Sequence, residues 1–175
     1  MNKDILFNLY ESIYSKDIGN MDCGSCTWCE DNEETVTLFP FEDEFISKKL
    51  GENIEQFELQ CKEGKVKSLN KPTLHCRFYK DNRCSRHDLR PVCCRIYPFN
   101  PKIEDNKLNL YIDLSCPIAN KILENKELTQ NMTNICKQLA DNIDNNFWES
   151  WSSMPLELDN PKRNEKFICF LKEIK

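Results

Sequence analysis

Eleven cysteines in a chain of 175 residues constrain this sequence more than any other feature. They fall below the roughly 8–10% of a disulfide scaffold, and their odd number rules out complete internal pairing. A chain of this length can bury most of its apolar surface without covalent staples. The cysteines therefore need another explanation, and their positions supply one. Cys23, Cys26 and Cys29 stand three residues apart in DCGSCTWCEDNEE, where an acidic run follows instead of a fourth cysteine. Gly24 and Ser25 permit a tight turn, so the three sulfurs can converge on one ion or cluster. HCRFYKDNRCSRHDLRPVCCRIYPF then carries Cys76, Cys84, Cys93 and Cys94, and DLSCPI carries Cys116. Each sits beside a turn signal or a proline rather than on the apolar face of a helix, which suits a ligand better than core packing. Cys136 and Cys169 lie within apolar periodic segments and read as small buried hydrophobes. Cys61 fits either reading.

The N-terminus, MNKDILFNLYESIYSKDIGN, has no uninterrupted apolar segment and no small-residue cleavage site, so a cytoplasmic location is expected. Thiols stay reduced there, and clustered cysteines more often bind metal or do redox chemistry than form structural disulfides. Thiolates are soft ligands that favour zinc, copper(I) and iron–sulfur clusters, and a structural zinc or a [4Fe–4S] cluster commonly takes four of them. Spacing leaves open two mononuclear sites or one cluster with bystanders. A net charge of -5 argues against nucleic acid, whose phosphates are bound by basic surfaces. No stretch approaches the ~20 apolar residues of a membrane span. A protein partner is left open.

Length and hydrophobic periodicity point to one α+β domain over 1–175, closed by a C-terminal helix over 119–151. Ile5, Leu6, Leu9, Tyr10 and Ile13 mark an amphipathic helix over 3–15. Thr35 to Phe39 reads as a strand. PFEDEFISKKLG reads as a helix with acidic residues in its first turn, lysines in its last and Gly51 as its stop. Short strands and turns follow: a hairpin around Glu63-Gly64, a strand in TLHCRFY ending at KDNR, and an alternating strand through Leu108, Leu110, Ile112 and Leu114. Leu128, Met132, Ile135, Leu139, Ile143 and Phe147 form one apolar stripe, expected to pack on the cysteine-rich part. KFICFLKEI reads as a strand or a short helix.

The run from Cys84 to Phe99, CSRHDLRPVCCRIYPF, resembles the C-x-x-x-x-x-RP-x-x-CR-x-YPF signature of the YkgJ-like CxxCxxCC cysteine-cluster family. Members of that family are described as zinc- or iron-chelating domains. The order of the other parts is similar over roughly Asp22 to Ile118. The triplet falls where the family has C-x-x-C-x-x-CC, HCRFYKDNRC resembles its C-x-F-x-x-x-x-x-C segment, and SCPI resembles its late Cys-Pro. The resemblance implies metal ligation by Cys23, Cys26, Cys29, Cys76, Cys84, Cys94 and Cys116. Two departures matter. Glu30 replaces the second cysteine of the CC pair, and Cys93 is an additional thiol before Cys94. Either can supply an eighth ligand, and a carboxylate in a soft site suits zinc better than an iron–sulfur cluster.

The expected activity is a small, irregular, metal-centred domain that holds zinc or an iron–sulfur cluster through thiolates. Two alternatives accompany it. Flagellin lysine N-methylases contain a similar cysteine cluster, although no motif for S-adenosylmethionine is visible here, and an iron–sulfur centre could deliver electrons to another protein. The sequence has no H-E-x-x-H, no P-loop and no G-x-G-x-x-G, so it offers no recognisable catalytic residues. His75 and His87 flank ligand cysteines as secondary candidates. Arg90 and Arg95 read either as offsets to thiolate charge or as surface residues. Tyr97, Pro98 and Phe99 read as core beside the site. Trp148 and Trp151 read as core or as a partner-facing edge.

Overall fold

A computed structural model describes residues 3–15, 35–71, 74–81, 83–154 and 164–175. Cys23, Cys26, Cys29 and Glu30 lie outside the described residues. The architecture is α+β, with helices packed around short antiparallel sheets. Helix α1 (Lys3–Ser15) buries Leu6, Leu9, Tyr10 and Ile13 along one face, as the spacing requires. Ile5 lies off that face and stays 39% exposed. The strand expected at 35–39 shortens to β1 (Thr37–Leu38). Helix α2 (Glu42–Leu50) ends at Gly51, whose φ of 72° is the left-handed conformation that glycine adopts without steric cost.

Strands β2 (Phe57–Cys61) and β3 (Gly64–Ser68) form the expected hairpin, and β3 also pairs with β1. Gly64 is needed there twice over. Its φ is +109°, and a Cβ would stand 2.5 Å from Ser150 Oγ. That hydroxyl donates to the Glu63 carbonyl at 2.6 Å, fastening the hairpin to the C-terminal helices.

Leu74 to Phe78 do not form the strand expected of TLHCRFY. The Cys76 carbonyl accepts the Tyr79 N–H at 2.8 Å, which closes a turn over Cys76. Only β4 (Tyr79–Lys80) remains extended, paired with β5 (Arg83–Cys84). A 3₁₀ turn (His87–Leu89) leads into the short helix α3 (Val92–Ile96), which carries Cys93 and Cys94.

A second three-stranded sheet has the order β6-β7-β8, with β6 (Phe99–Glu104), β7 (Lys107–Asp113) and β8 (Glu165–Glu173). Leu108, Leu110 and Ile112 alternate inward on β7 and are fully buried, while Leu114 falls beyond the strand. KFICFLKEI is therefore a strand, with irregularities in register opposite Leu108/Asn109 and Leu110/Tyr111.

The single helix expected over 119–151 is three helices: α4 (Ala119–Glu124), α5 (Lys126–Asn142) and α6 (Asn145–Ser152). Asn125 breaks the first junction, because its extended backbone lets its side-chain oxygen accept the Leu128 N–H at 3.0 Å and cap α5. Ile143 breaks the second with φ -110° and ψ 138°. The stripe Leu128, Met132, Ile135, Leu139 and Ile143 is buried, and Phe147 belongs to the next helix. Helix α5 packs chiefly on α1, α4, β7 and β8 rather than on the cysteine-bearing turns. Cys136 is fully buried on α5, and Cys169 packs against the same core from β8, as core residues should. Trp148 is fully buried, and half-buried Trp151 donates through Nε1 to the Pro101 carbonyl at 3.0 Å. Cys61 is buried with Leu59 and Val66 under the hairpin.

Glu42 departs most from its appearance in sequence. Its place in an acidic first turn suggests a solvated carboxylate facing the helix dipole, yet it is fully buried. Its two oxygens accept the N–H groups of Phe39 at 2.8 Å and Val92 at 2.6 Å. Burial pushes its pKa up to about 8; the two N–H donors oppose the rise, Cys94 adds to it and Arg95 opposes it. The folded state thus binds this proton more tightly than the unfolded chain, whose value is 4.5. Its contribution to stability is full below the unfolded value and is lost as pH rises toward about 8. Glu42→Gln should flatten that part of the stability–pH profile, and an unchanged slope would contradict the assignment. Glu42→Ala leaves two buried N–H groups without an acceptor and should cost about 2–5 kcal/mol by urea unfolding.

Candidate metal centre

The turns around Cys76 and Cys84 have one feature in common. The Phe78 N–H favours the Cys76 thiolate and the Arg86 N–H favours the Cys84 thiolate, in each case two residues further on. Such a turn lends partial positive charge to a thiolate before any ion arrives. The β4–β5 hairpin ties the two turns together: Tyr79 pairs with Cys84, and the Phe78 carbonyl accepts the Ser85 N–H at 2.7 Å. Asp81, with φ 51°, lies in the connecting turn. Both cysteines rest against a small core of Leu38, Ile46, Ile54, Leu69, Phe78 and Leu89.

That setting makes ionisation costly without a cation. Burial pushes the Cys76 thiol up to about 12; the Phe78 N–H opposes the rise, and Cys94 and Cys84 add to it. Burial likewise raises Cys84, with the Arg86 N–H opposing it, and the Arg90 guanidinium both bonds the sulfur and lowers its pKa by its charge. Arg90 thus stands against Cys84. The charge of Cys94 raises Cys76, Cys84 and Cys93 alike. The Cys93 and Cys94 sulfurs stand 3.7 Å apart. The Cys93 pKa is raised first by that contact and then by burial. Among the described residues, no three His, Cys, Asp or Glu side chains converge closely enough to hold a metal ion.

Arg95 is not a surface residue. It is 6% exposed, its guanidinium lies 3.8 Å over the Tyr10 ring, and it donates to the carbonyls of Arg90 and, at 2.8 Å, of Asp88. Tyr10 adds its own hydroxyl to the Arg90 carbonyl at 2.8 Å. Together they fix the turn that joins Cys84 to Cys93. His75 stacks on Tyr79 at 4.2 Å, and His87 opens the 3₁₀ turn.

Tyr97 donates to Asp113 at 3.0 Å, and Pro98 and Phe99 are buried in the main core next to α3. Cys116 is buried in that core, at the turn between β7 and α4, where its N–H donates to the Asp113 carbonyl at 3.2 Å.

No family model, curated protein or solved structure matches this chain. The site is therefore read from its own residues. Sequence reasoning placed Cys76, Cys84 and Cys94 as ligands; the structure joins Cys76 and Cys84 through one hairpin, and Cys94 acts on both through its charge. It missed Glu42 and Tyr10. The only signal for Glu42 was an acidic residue embedded among Phe39, Phe41, Phe45 and Ile46.

Lysine cannot reproduce the planar fork by which Arg95 serves two carbonyls. Arg95→Lys should lower stability by about 1–3 kcal/mol and speed amide exchange at Leu89 and Arg90. Unchanged exchange at both amides would show that the turn does not depend on the fork.

Proposed function

We propose that this protein is a metal-binding module whose thiolates hold zinc or an iron–sulfur cluster. The observation that carries the reading is the matched setting of Cys76 and Cys84, each thiolate favoured by a backbone N–H two residues on and the two joined by one hairpin, with the charge of Cys94 acting on both. Two thiols with the same local turn, joined by one short hairpin, form a preorganised pair of soft donors. Their burial fits the same reading: desolvated neighbouring thiols can ionise together only when a cation offsets their charge. Cys76, Cys84 and Cys94 would hold the metal from this side, with Arg90 offsetting the charge at Cys84. The likeness of Cys84 to Phe99 to the YkgJ-like signature assigns Cys23, Cys26, Cys29 and Cys116 to the same task. Each ligating thiol gives up its proton, and ligands so distant in sequence meet only in the folded chain. Metal binding therefore contributes to folding.

Purification without oxygen, followed by metal and acid-labile sulfide analysis, tests this directly. Stoichiometric zinc without sulfide identifies a zinc module and excludes electron transfer by the centre, whereas iron with sulfide identifies a cluster. Cys94→Ser or Cys116→Ser should lose metal and lower the unfolding temperature. Cys136→Ser and Cys169→Ser should keep full metal content. Metal-free wild-type protein, or equal loss in both sets, would refute the proposal.

A further inference from the structure

The β4–β5 hairpin carries a charge pattern that the fold does not use. Residues 71–90 hold six Lys and Arg side chains against two Asp, a net +4 in a chain whose total is -5, so the remaining residues carry -9. Most of these cations have local partners. Arg77 pairs with Glu52 and Arg86 with Asp88, Lys71 lies over the Phe57 ring, and Arg90 bonds the Cys84 sulfur. Lys80 and Arg83 differ. They stand directly opposite each other on β4 and β5, both are exposed, and neither pairs with a carboxylate among the described residues.

Like charges directly opposite across a ladder destabilise it, so this pair weakens the hairpin that holds it. Two ordinary explanations do not account for it. Strand alternation puts Lys80 and Arg83 on the face away from Tyr79 and Cys84, so the pair is not aimed at the Cys84 sulfur. Cations also blunt long exposed strand edges against aggregation, but these strands are two residues long and leave little edge to protect. Asp81, exposed in the connecting turn, forms an ion pair with neither cation. We infer that Lys80 and Arg83 dock a compact acidic patch on a partner protein, whose carboxylates relieve the repulsion between them. The inference does not depend on a bound metal. The rest of the chain selects the class of partner. A nucleic acid or an anionic bilayer is a continuous array of phosphates, and it would extend past the basic segment against a remainder of net -9. A patch of a few carboxylates meets the hairpin alone.

Amide NMR of the isotopically labelled full chain, titrated with a hexaglutamate peptide, tests the inference. Shifts should centre on Lys80, Asp81 and Arg83, and they should fade as salt rises from about 20 to about 200 mM. The double variant Lys80→Gln with Arg83→Gln should bind the peptide about fivefold more weakly or less at low salt, while its unfolding temperature rises by about 1–3 °C as the like-charge pair is removed. Together these results show a pair kept for binding at a cost in stability. Shifts centred elsewhere, or unchanged peptide affinity in the variant, would overturn the inference. A lower unfolding temperature in the variant would overturn it too, by showing that the cations serve the fold. Tighter binding through the same residues by a single-stranded oligonucleotide of equal charge, or by phosphatidylserine vesicles, would assign the hairpin to phosphates and reject an acidic protein.

Discussion

A single buried carboxyl group joins the start of α2 to the head of the cysteine-bearing helix α3. Glu42 sits at the start of α2, yet its oxygens reach back to the Phe39 N–H and across to the Val92 N–H at the head of α3. Removing either bond leaves a donor in a place that water does not reach, and such a donor costs far more than an exposed one. The position of Cys93 and Cys94 relative to Cys76 and Cys84 depends on that bridge. Arg95, Tyr10 and the carbonyls of Asp88 and Arg90 brace the same region from the other side. Charge and hydrogen bonding, rather than apolar area alone, thus set the geometry of the thiols.

Much of the secondary structure is legible in the sequence because local patterns and burial agree there. The stripe of α1, the stop at Gly51, the hairpin at Gly64 and the alternation of β7 all follow from spacing and turn chemistry. The failures have a common physical origin. At Cys76 a hydrogen-bonded turn overrides the strand preference of TLHCRFY. At Asn125 a side-chain cap overrides continuous helical periodicity. At Glu42 tertiary burial overrides the appearance of a solvated acidic turn. Each depends on a partner that a window of local sequence does not contain, such as the Val92 N–H fifty residues from Glu42.

The candidate site was legible in part for a different reason. Cysteines beside turn signals stand out from cysteines on apolar faces, and this distinction separates Cys76, Cys84 and Cys94 from Cys136 and Cys169. The spacing could not reveal that Cys76 and Cys84 each have a favouring backbone N–H two residues on, or that the Cys93 sulfur lies against that of Cys94. Cys23, Cys26, Cys29 and Glu30 fall outside the described residues, so their part in the site rests on sequence.

Desolvated thiols held close together are stable partners only as neutral groups or around a cation. X-ray absorption at the metal edge of protein purified without oxygen distinguishes these states. A thiolate metal centre predicts sulfur neighbours at about 2.3 Å as the dominant scatterers. A shell of nitrogen and oxygen atoms alone, or no bound metal, would contradict it.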